Sequence, residues 1–169
     1  DASNSCTDRM WTTREPKNVF LISVKGDYSD ALKVGEKIGS LEGMLPEGGV
    51  RNVARRDGLG TVLLDALLHM KKIPEHYFQA IGSGTGAIGV FEMSRRAIDG
   101  GNGNRLPKMH LAQNLPFAPM TRAWDAGRRG IIPECDMPDA DKAIAELYAN
   151  VLSNRNPPYS ITGGVYDIL

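Results

Sequence analysis

Residues 79–93 read QAIGSGTGAIGVFEM. A short apolar run ends at Ile81. Three glycines (Gly82, Gly84, Gly86) follow within five residues, and helical spacing takes over at Ala87, with Ile88, Phe91 and Ile98 along one side. No other stretch constrains the fold so tightly. A strand that leaves a sheet through a glycine turn and enters a helix at once is the repeating unit of α/β proteins.

The rest of the chain extends that pattern. Val19–Val24 (VFLISV) is a β-branched run closed by Gly26 and Asp27 and reads as a buried strand. A helix follows over residues 29–39, with Leu32, Gly35 and Ile38 on one face and Asp27 or Ser29 as cap. Residues 43–49 read as a loop and Val50–Ala54 as a short strand. Thr61–Met70 is apolar nearly all round, which predicts a helix buried on most sides and ended by Pro74. Strands are expected at Tyr77–Ile81 and Met109–Gln113, and helices over 87–98, 119–127 and 139–152. Ala140, Ile144, Leu147, Tyr148 and Val151 form the apolar stripe of the last of these. Strands alternating with helices, across connections too long for hairpins, predict a largely parallel sheet.

Composition narrows the function. Twenty basic residues balance twenty acidic ones, so charge gives no reason to expect a nucleic-acid or membrane partner. The longest apolar run, Val62–Leu68, is far too short to cross a bilayer. Residues 1–10 lack the basic start and apolar core of a signal peptide. Two cysteines, Cys6 and Cys135, form no CxxC pair, and a reducing cytoplasm is the natural setting. The chain opens on Asp1 rather than Met and stops at Val165–Leu169, which read as the start of an element, so a piece of a longer protein is expected.

The glycine loop offers three readings. A helix start carries free N–H groups and a partial positive charge, and glycine lets an anion approach the backbone, so a phosphate is the natural guest. Gly84, Gly86 and Gly89 also spell the GxGxxG of dinucleotide folds. The next strand, however, ends at Gln113 and Asn114 with no acidic residue for a ribose, and no Walker lysine follows the glycines. The third reading is a turn whose glycines only permit close packing. On the phosphate reading, a side chain at Gly84 would occupy the volume of a phosphate oxygen.

Four segments carry a resemblance: KNVFLISVKGDYSDALKVGEKI (17–38), RRDGLGTVLLDALL (55–68), QAIGSGTGAIGVFEM (79–93) and LPKMHLAQNLPF (106–117). In that order they resemble the threonine-synthase-like family of pyridoxal-phosphate enzymes, and the likeness spans essentially the whole chain. The resemblance implies a fold type II, tryptophan synthase β-like architecture, a three-layer open sheet truncated at both ends. Residues 1–45 would be the end of the small domain and 46–169 the first part of the large cofactor-binding domain. The branch spellings WTTREPKNV, SVKGDYSDALK, FQAIGSGTG and HLAQNLPFAPM point to members that replace the phosphate of O-phosphoserine with sulfite, an early step towards coenzyme M in methanogenic archaea. The family's conversion of O-phosphohomoserine to threonine is the alternative. A non-catalytic phosphate- or nucleotide-binding module is the alternative of another class. The implied partners are small molecules, O-phosphoserine and sulfite, and a homo-oligomer is compatible.

Carried over by position, Gly82, Ser83, Gly84, Thr85 and Gly86 match the loop that holds the phosphate of pyridoxal 5'-phosphate. Arg55, Arg56 and Asp57 match a segment on the substrate side. There Asp57 replaces a longer Glu, and Arg56 stands where an apolar residue is usual; a surface loop with a local ion pair is the competing reading. Gln113 and Asn114 end a strand on the ligand side and are further candidates to line the pocket. The family's Schiff-base lysine lies upstream of SVKGD and is not among residues 1–169, so this chain alone is expected to be inactive. Lys25 does not sit in the lysine motif and reads as a solvated lysine at a strand end. His69, His76 and His110 show no metal-ligand spacing. Arg128 and Arg129 read as a solvated face, and Cys135 has no activating neighbour in sequence.

Overall fold

The computed structural model describes residues 19–26, 28–148 and 164–169, which fall into two compact units divided between Pro46 and Glu47.

In the first unit, helix α1 spans Tyr28–Gly39. Ser29 therefore lies inside the helix rather than capping it, and Asp27 lies outside the described residues. Leu32 is still 38% exposed. The expected strand at Val19–Val24 is not formed. The run is irregular, with Phe20 86% and Ile22 58% exposed. A strand exists only through hydrogen bonds to a neighbour, and no described residue pairs with this run.

The second unit begins with a 3-10 turn, Gly49–Arg51, followed by α2, Val53–Met70. This replaces the short strand expected at Val50–Ala54. Asn52 is the reason: its side-chain oxygen accepts the Arg55 N–H at 3.2 Å and caps the helix. The helix thus starts eight residues before Thr61, through Gly58 and Gly60, whose low helix propensity disguises the start. Lys71, in the left-handed region at φ 59°, closes it three residues before Pro74. Nor is α2 buried on most sides. Leu63 is 2% exposed, but Val62, Leu68 and Met70 are more than half exposed. One side of α2 packs on the next helix, and described residues leave most of the rest open.

Strand β1 (His76–Ala80), helix α3 (Thr85–Asp99) and strand β2 (Lys108–Ala112) make one parallel crossover. His76 pairs with Lys108 and Ala80 with Ala112, and Ile81 N–H extends the ladder to Ala112 O at 2.9 Å. The architecture is α/β with a parallel sheet, as the alternation predicts. Helices α2 and α3 cross where both carry glycine. A Cβ on Gly60 would lie 2.8 Å from Gly89 O, and one on Gly89 would lie 2.5 Å from Arg56 O. Leu63, Ile73, Val90 and Ala97 form the core beneath that crossing.

Three short helices complete the unit: α4 (Pro119–Asp125), α5 (Pro133–Asp136) and α6 (Ala140–Ala145). Helix α6 ends seven residues short of the expected Leu152. Leu147 packs beyond it against Phe117 and Met137, and residue Val151 lies outside the described residues. A final 3-10 turn, Val165–Ile168, joins Ile81, Ala87, Ile88, Met120 and Ala123 in the main core cluster.

Candidate phosphate site at the start of helix α3

Strand β1 delivers the chain to Gly82, and the loop turns into α3 at Gly84, whose φ of 76° is left-handed and favours glycine. No side chain caps the helix at that residue. The hydroxyls of Ser83 and Thr85 hydrogen-bond each other at 2.8 Å, and the Thr85 N–H reaches Ser83 Oγ at a long 3.4 Å. The first-turn N–H groups of a helix have no intrahelical acceptor. Gly82, Ser83 and Gly86 keep partial access to solvent, whereas Gly84, Thr85 and Ala87 are buried. The accessible donors are therefore the Ser83 hydroxyl and the backbone around Gly82 and Gly86. A small dianion fits that chemistry, because fifteen residues of helix put the positive end of their dipole there.

The glycines also meet protein. A Cβ at Gly84 would come 2.6 Å from Val165 Cγ2, and one at Gly86 would come 2.6 Å from the Gln79 Nε2. The expectation that a side chain at Gly84 fills the volume of a phosphate oxygen is thus corrected: it would strike Val165. The third glycine of GxGxxG, Gly89, serves the crossing with α2. Each glycine of the fingerprint has a steric reason that does not require a dinucleotide.

Behind the loop, Gln79 Oε1 accepts from Tyr77 OH at 3.1 Å, holding the amide against Gly86. Tyr166 is 3% exposed and donates to Met120 O at 3.1 Å; burial pushes its hydroxyl up to about 12. Trp124 stacks on it with planes 6° apart. Val165 and Tyr166, about eighty residues downstream of the loop, carry no local sequence signal for this contact.

Arg55, Arg56 and Asp57 lie in the first turns of α2, not in a loop, and all three are ion-paired. Arg55 binds Glu47 at 2.8 Å, Arg56 binds Glu92 at 2.9 Å and Val50 O at 2.6 Å, and Asp57 binds Arg96 at 2.7 Å. Two of these pairs brace α2 against α3. Gln113 Oε1 accepts the N–H groups of Met120 and Thr121, capping α4, while Asn114 next to it is exposed. Lys25 and Arg129 are exposed, as expected.

Arg128 corrects the expectation of a solvated face. Its guanidinium grips Asp136 with two bonds of 2.7 and 2.6 Å. Asp136 is 1% exposed and also accepts the Ile132 N–H. Its carboxyl sits below the usual range because of the Arg128 bonds, with the Ile132 N–H assisting against burial. His76 and His110, 34 residues apart, come together on neighbouring strands with ring nitrogens 2.9 Å apart. Among the described residues no three His, Cys, Asp or Glu side chains form a metal-binding group. No described helix is long and apolar enough to cross a membrane. A groove of about 880 Å³ runs past Leu64, Leu68, Lys71 and Arg105 and shares no residue with the glycine loop.

No family model matches the chain, and no solved structure matches it significantly. Curated relatives do. The cysteate synthase of Methanoculleus marisnigri is 58% identical over 166 residues, covering 98% of this chain and 39% of that protein. That of Methanocella arvoryzae is 60% identical over 167 residues, covering 96% and 40%. That of Methanosarcina mazei is 56% identical over 170 residues, covering 98% and 41%. At identities above one half along nearly its whole length, the chain resembles the cysteate synthases, and it spans about two fifths of the length of these relatives.

Proposed function

We propose that these residues serve a longer protein that replaces the phosphate of O-phospho-L-serine with sulfite, giving L-cysteate and phosphate on the way to coenzyme M. The observation that carries this reading is the identity to cysteate synthases over 96–98% of the chain, glycine loop included. On the same reading the fold is type II, and residues 1–45 and 46–169 end the small domain and begin the large one.

Pyridoxal 5'-phosphate would supply an electron sink that lets the β-phosphate leave and a nucleophile add. This chain's part is binding. Gly82, Ser83 and Gly86 would hold the cofactor phosphate at the α3 start, with Gly84 and Thr85 shaping the turn from behind. Asn114, exposed two residues beyond β2, is the substrate-side candidate that neither caps a helix nor joins an ion pair among the described residues. Arg56 would act through Glu92 and α3, as its charge is already matched.

The test is an assay of the full-length protein. Phosphate release from O-phosphoserine that depends on sulfite, with cysteate as product, is expected. Threonine formed from O-phosphohomoserine, with O-phosphoserine inert, would move the assignment to threonine synthase. Borohydride reduction in the presence of pyridoxal phosphate should label one lysine outside residues 1–169. Stoichiometric label at Lys25 would overturn that placement, and no label on any lysine would favour the non-catalytic phosphate-binding module.

A further inference from the structure

Strand β1 turns Tyr77 and Gln79 inward, opposite Met109 and Leu111 of β2. Tyr77, Met109 and Leu111 pack against the main core cluster, and Gln79 brings an amide in among them. Packing alone asks for an apolar side chain at such a place, because a polar group taken from water is costly unless bonded. This amide is bonded: Tyr77 OH donates to its Oε1 at 3.1 Å. Its nitrogen end lies nearer Gly86. A Cβ on that glycine would come 2.6 Å from Nε2, against 3.0 Å from Oε1. Gly86 is the second residue of α3, in the turn whose N–H groups have no acceptor within the helix. We propose that Gln79 is a positioning residue for the anion held by the glycine loop. Locked by Tyr77, its amide sets how closely the first turn of α3 approaches β1, and its nitrogen end adds positive potential behind that turn. The inference rests on the reading that the loop holds a phosphate.

The contact depends on each partner. Glycine at position 86 leaves the room that the amide fills. The Tyr77 hydroxyl fixes the end of a side chain that would otherwise rotate freely. Burial raises its pKa above the ordinary value, so it stays protonated and able to donate. No side chain caps α3 at Gly84, so the first turn is braced from outside the helix. Val165 limits it at Gly84 and Gln79 limits it at Gly86. The orientation of the amide suits an anion, since its partial positive end is the one nearer the turn.

Charge separates this role from filling space. Gln79→Met keeps the length and the packing but removes the bond and the dipole. Gln79→Glu keeps the shape and places negative charge behind the anion.

The experiment uses the full-length protein, with pyridoxal phosphate as the anion, titrated by visible absorbance. Loss of one neutral hydrogen bond predicts about three- to ten-fold weaker binding for Gln79→Met. Gln79→Glu is expected to bind more weakly still at about pH 8, where the new carboxylate is charged. Tyr77→Phe is expected to weaken binding too, and to change nothing further when added to Gln79→Met, because both break one chain of contacts. Binding equal to the parent in Gln79→Met and Gln79→Glu overturns the proposal. So do Tyr77 and Gln79 losses that add in full. A second measurement needs no cofactor. The Ile88 N–H donates to Gly84 O at 3.0 Å and closes the first turn of α3. Its hydrogen exchange in the cofactor-free protein is expected to quicken about three-fold or more in Gln79→Met, and unchanged exchange overturns the proposal. Should Gln79→Met fail to fold by circular dichroism, Tyr77→Phe is read by the same two criteria. A parent that binds no pyridoxal phosphate while the exchange responds would sink the cofactor reading and leave the brace supported.

Discussion

Asp136 is only 1% exposed, and its two bonds to Arg128 with one from Ile132 favour the carboxylate despite that burial. Because the folded state depresses its pKa, it adds stability above the unfolded carboxyl value of about 3.9, lost as pH falls through the folded value. Asp136→Asn in the full-length protein should lower the melting temperature at neutral pH by several degrees. It should also flatten the acid limb of the stability curve, read by calorimetry from pH 7 down to 3. An unchanged acid limb would mean the pair is not formed. Tyr166 has the opposite sign. Its hydroxyl rises to about 12, so its contribution is complete below about 10 and is lost as pH climbs towards 12. Tyr166→Phe removes the bond to Met120 O, at a cost of about 1 kcal/mol near neutral pH, and should make unfolding between pH 10 and 12 less steep. Ultraviolet titration of tyrosinate against circular dichroism checks this. Neither residue stands out in the sequence. Arg128 reads there as part of a solvated face, because a charge pair closed by folding has no periodicity to betray it.

At the scale of elements, local chemistry was legible and mutual covering was not. The helix after Gly84, the strands at residues 76–80 and 108–112 and the glycine turn between strand and helix all follow from spacing and turn residues. Helix α2 was misplaced at its start because Gly58 and Gly60 look like loop residues until α3 arrives to explain Gly60. That crossing is testable. Gly60→Ala puts a methyl 2.8 Å from Gly89 O and 2.9 Å from Met93 Cβ, and overpacking of this kind costs about 1–3 kcal/mol. Gly58→Ala, with nothing within 4 Å, should be neutral or slightly stabilising through helix propensity. Denaturant melts that rank the two alike would deny the close crossing. The candidate site needs the same care. Gly84→Ala would fail by striking Val165, whatever the loop binds, so it cannot report on phosphate. Ser83→Ala removes one accessible hydroxyl without crowding. If that hydroxyl donates to a phosphate, the lost bond is worth about 1.5–3 kcal/mol, roughly ten- to hundred-fold in cofactor affinity. A visible-absorbance titration of the full-length protein measures it, and unchanged affinity would leave the loop as a packing turn.

The molecule as a whole shows why the burial expected of Val19–Val24 and Thr61–Met70 failed while the expectations on element type mostly succeeded. Val19–Val24 and Thr61–Met70 are composed for an interior, and yet Phe20, Val62, Leu68 and Met70 are open to solvent, as are Leu45 and Phe78. Composition records the environment a segment is built for, and the described residues do not supply that environment. A two-stranded parallel sheet covered on one face is at the lower limit of what packs stably. Apolar surface of this extent favours association, each Å² hidden from water being worth about 25 cal/mol. Residues 1–169 alone should therefore bind a hydrophobic dye strongly, self-associate with rising concentration and melt over a broad range. The full-length protein should show little dye binding and a cooperative melt. Dye fluorescence, sedimentation and calorimetry on both proteins make the comparison. A dye-silent, monomeric 1–169 with a sharp transition would mean that these faces are stable in water. The apolar composition of Val19–Val24 and α2 would then have to be explained without any covering partner.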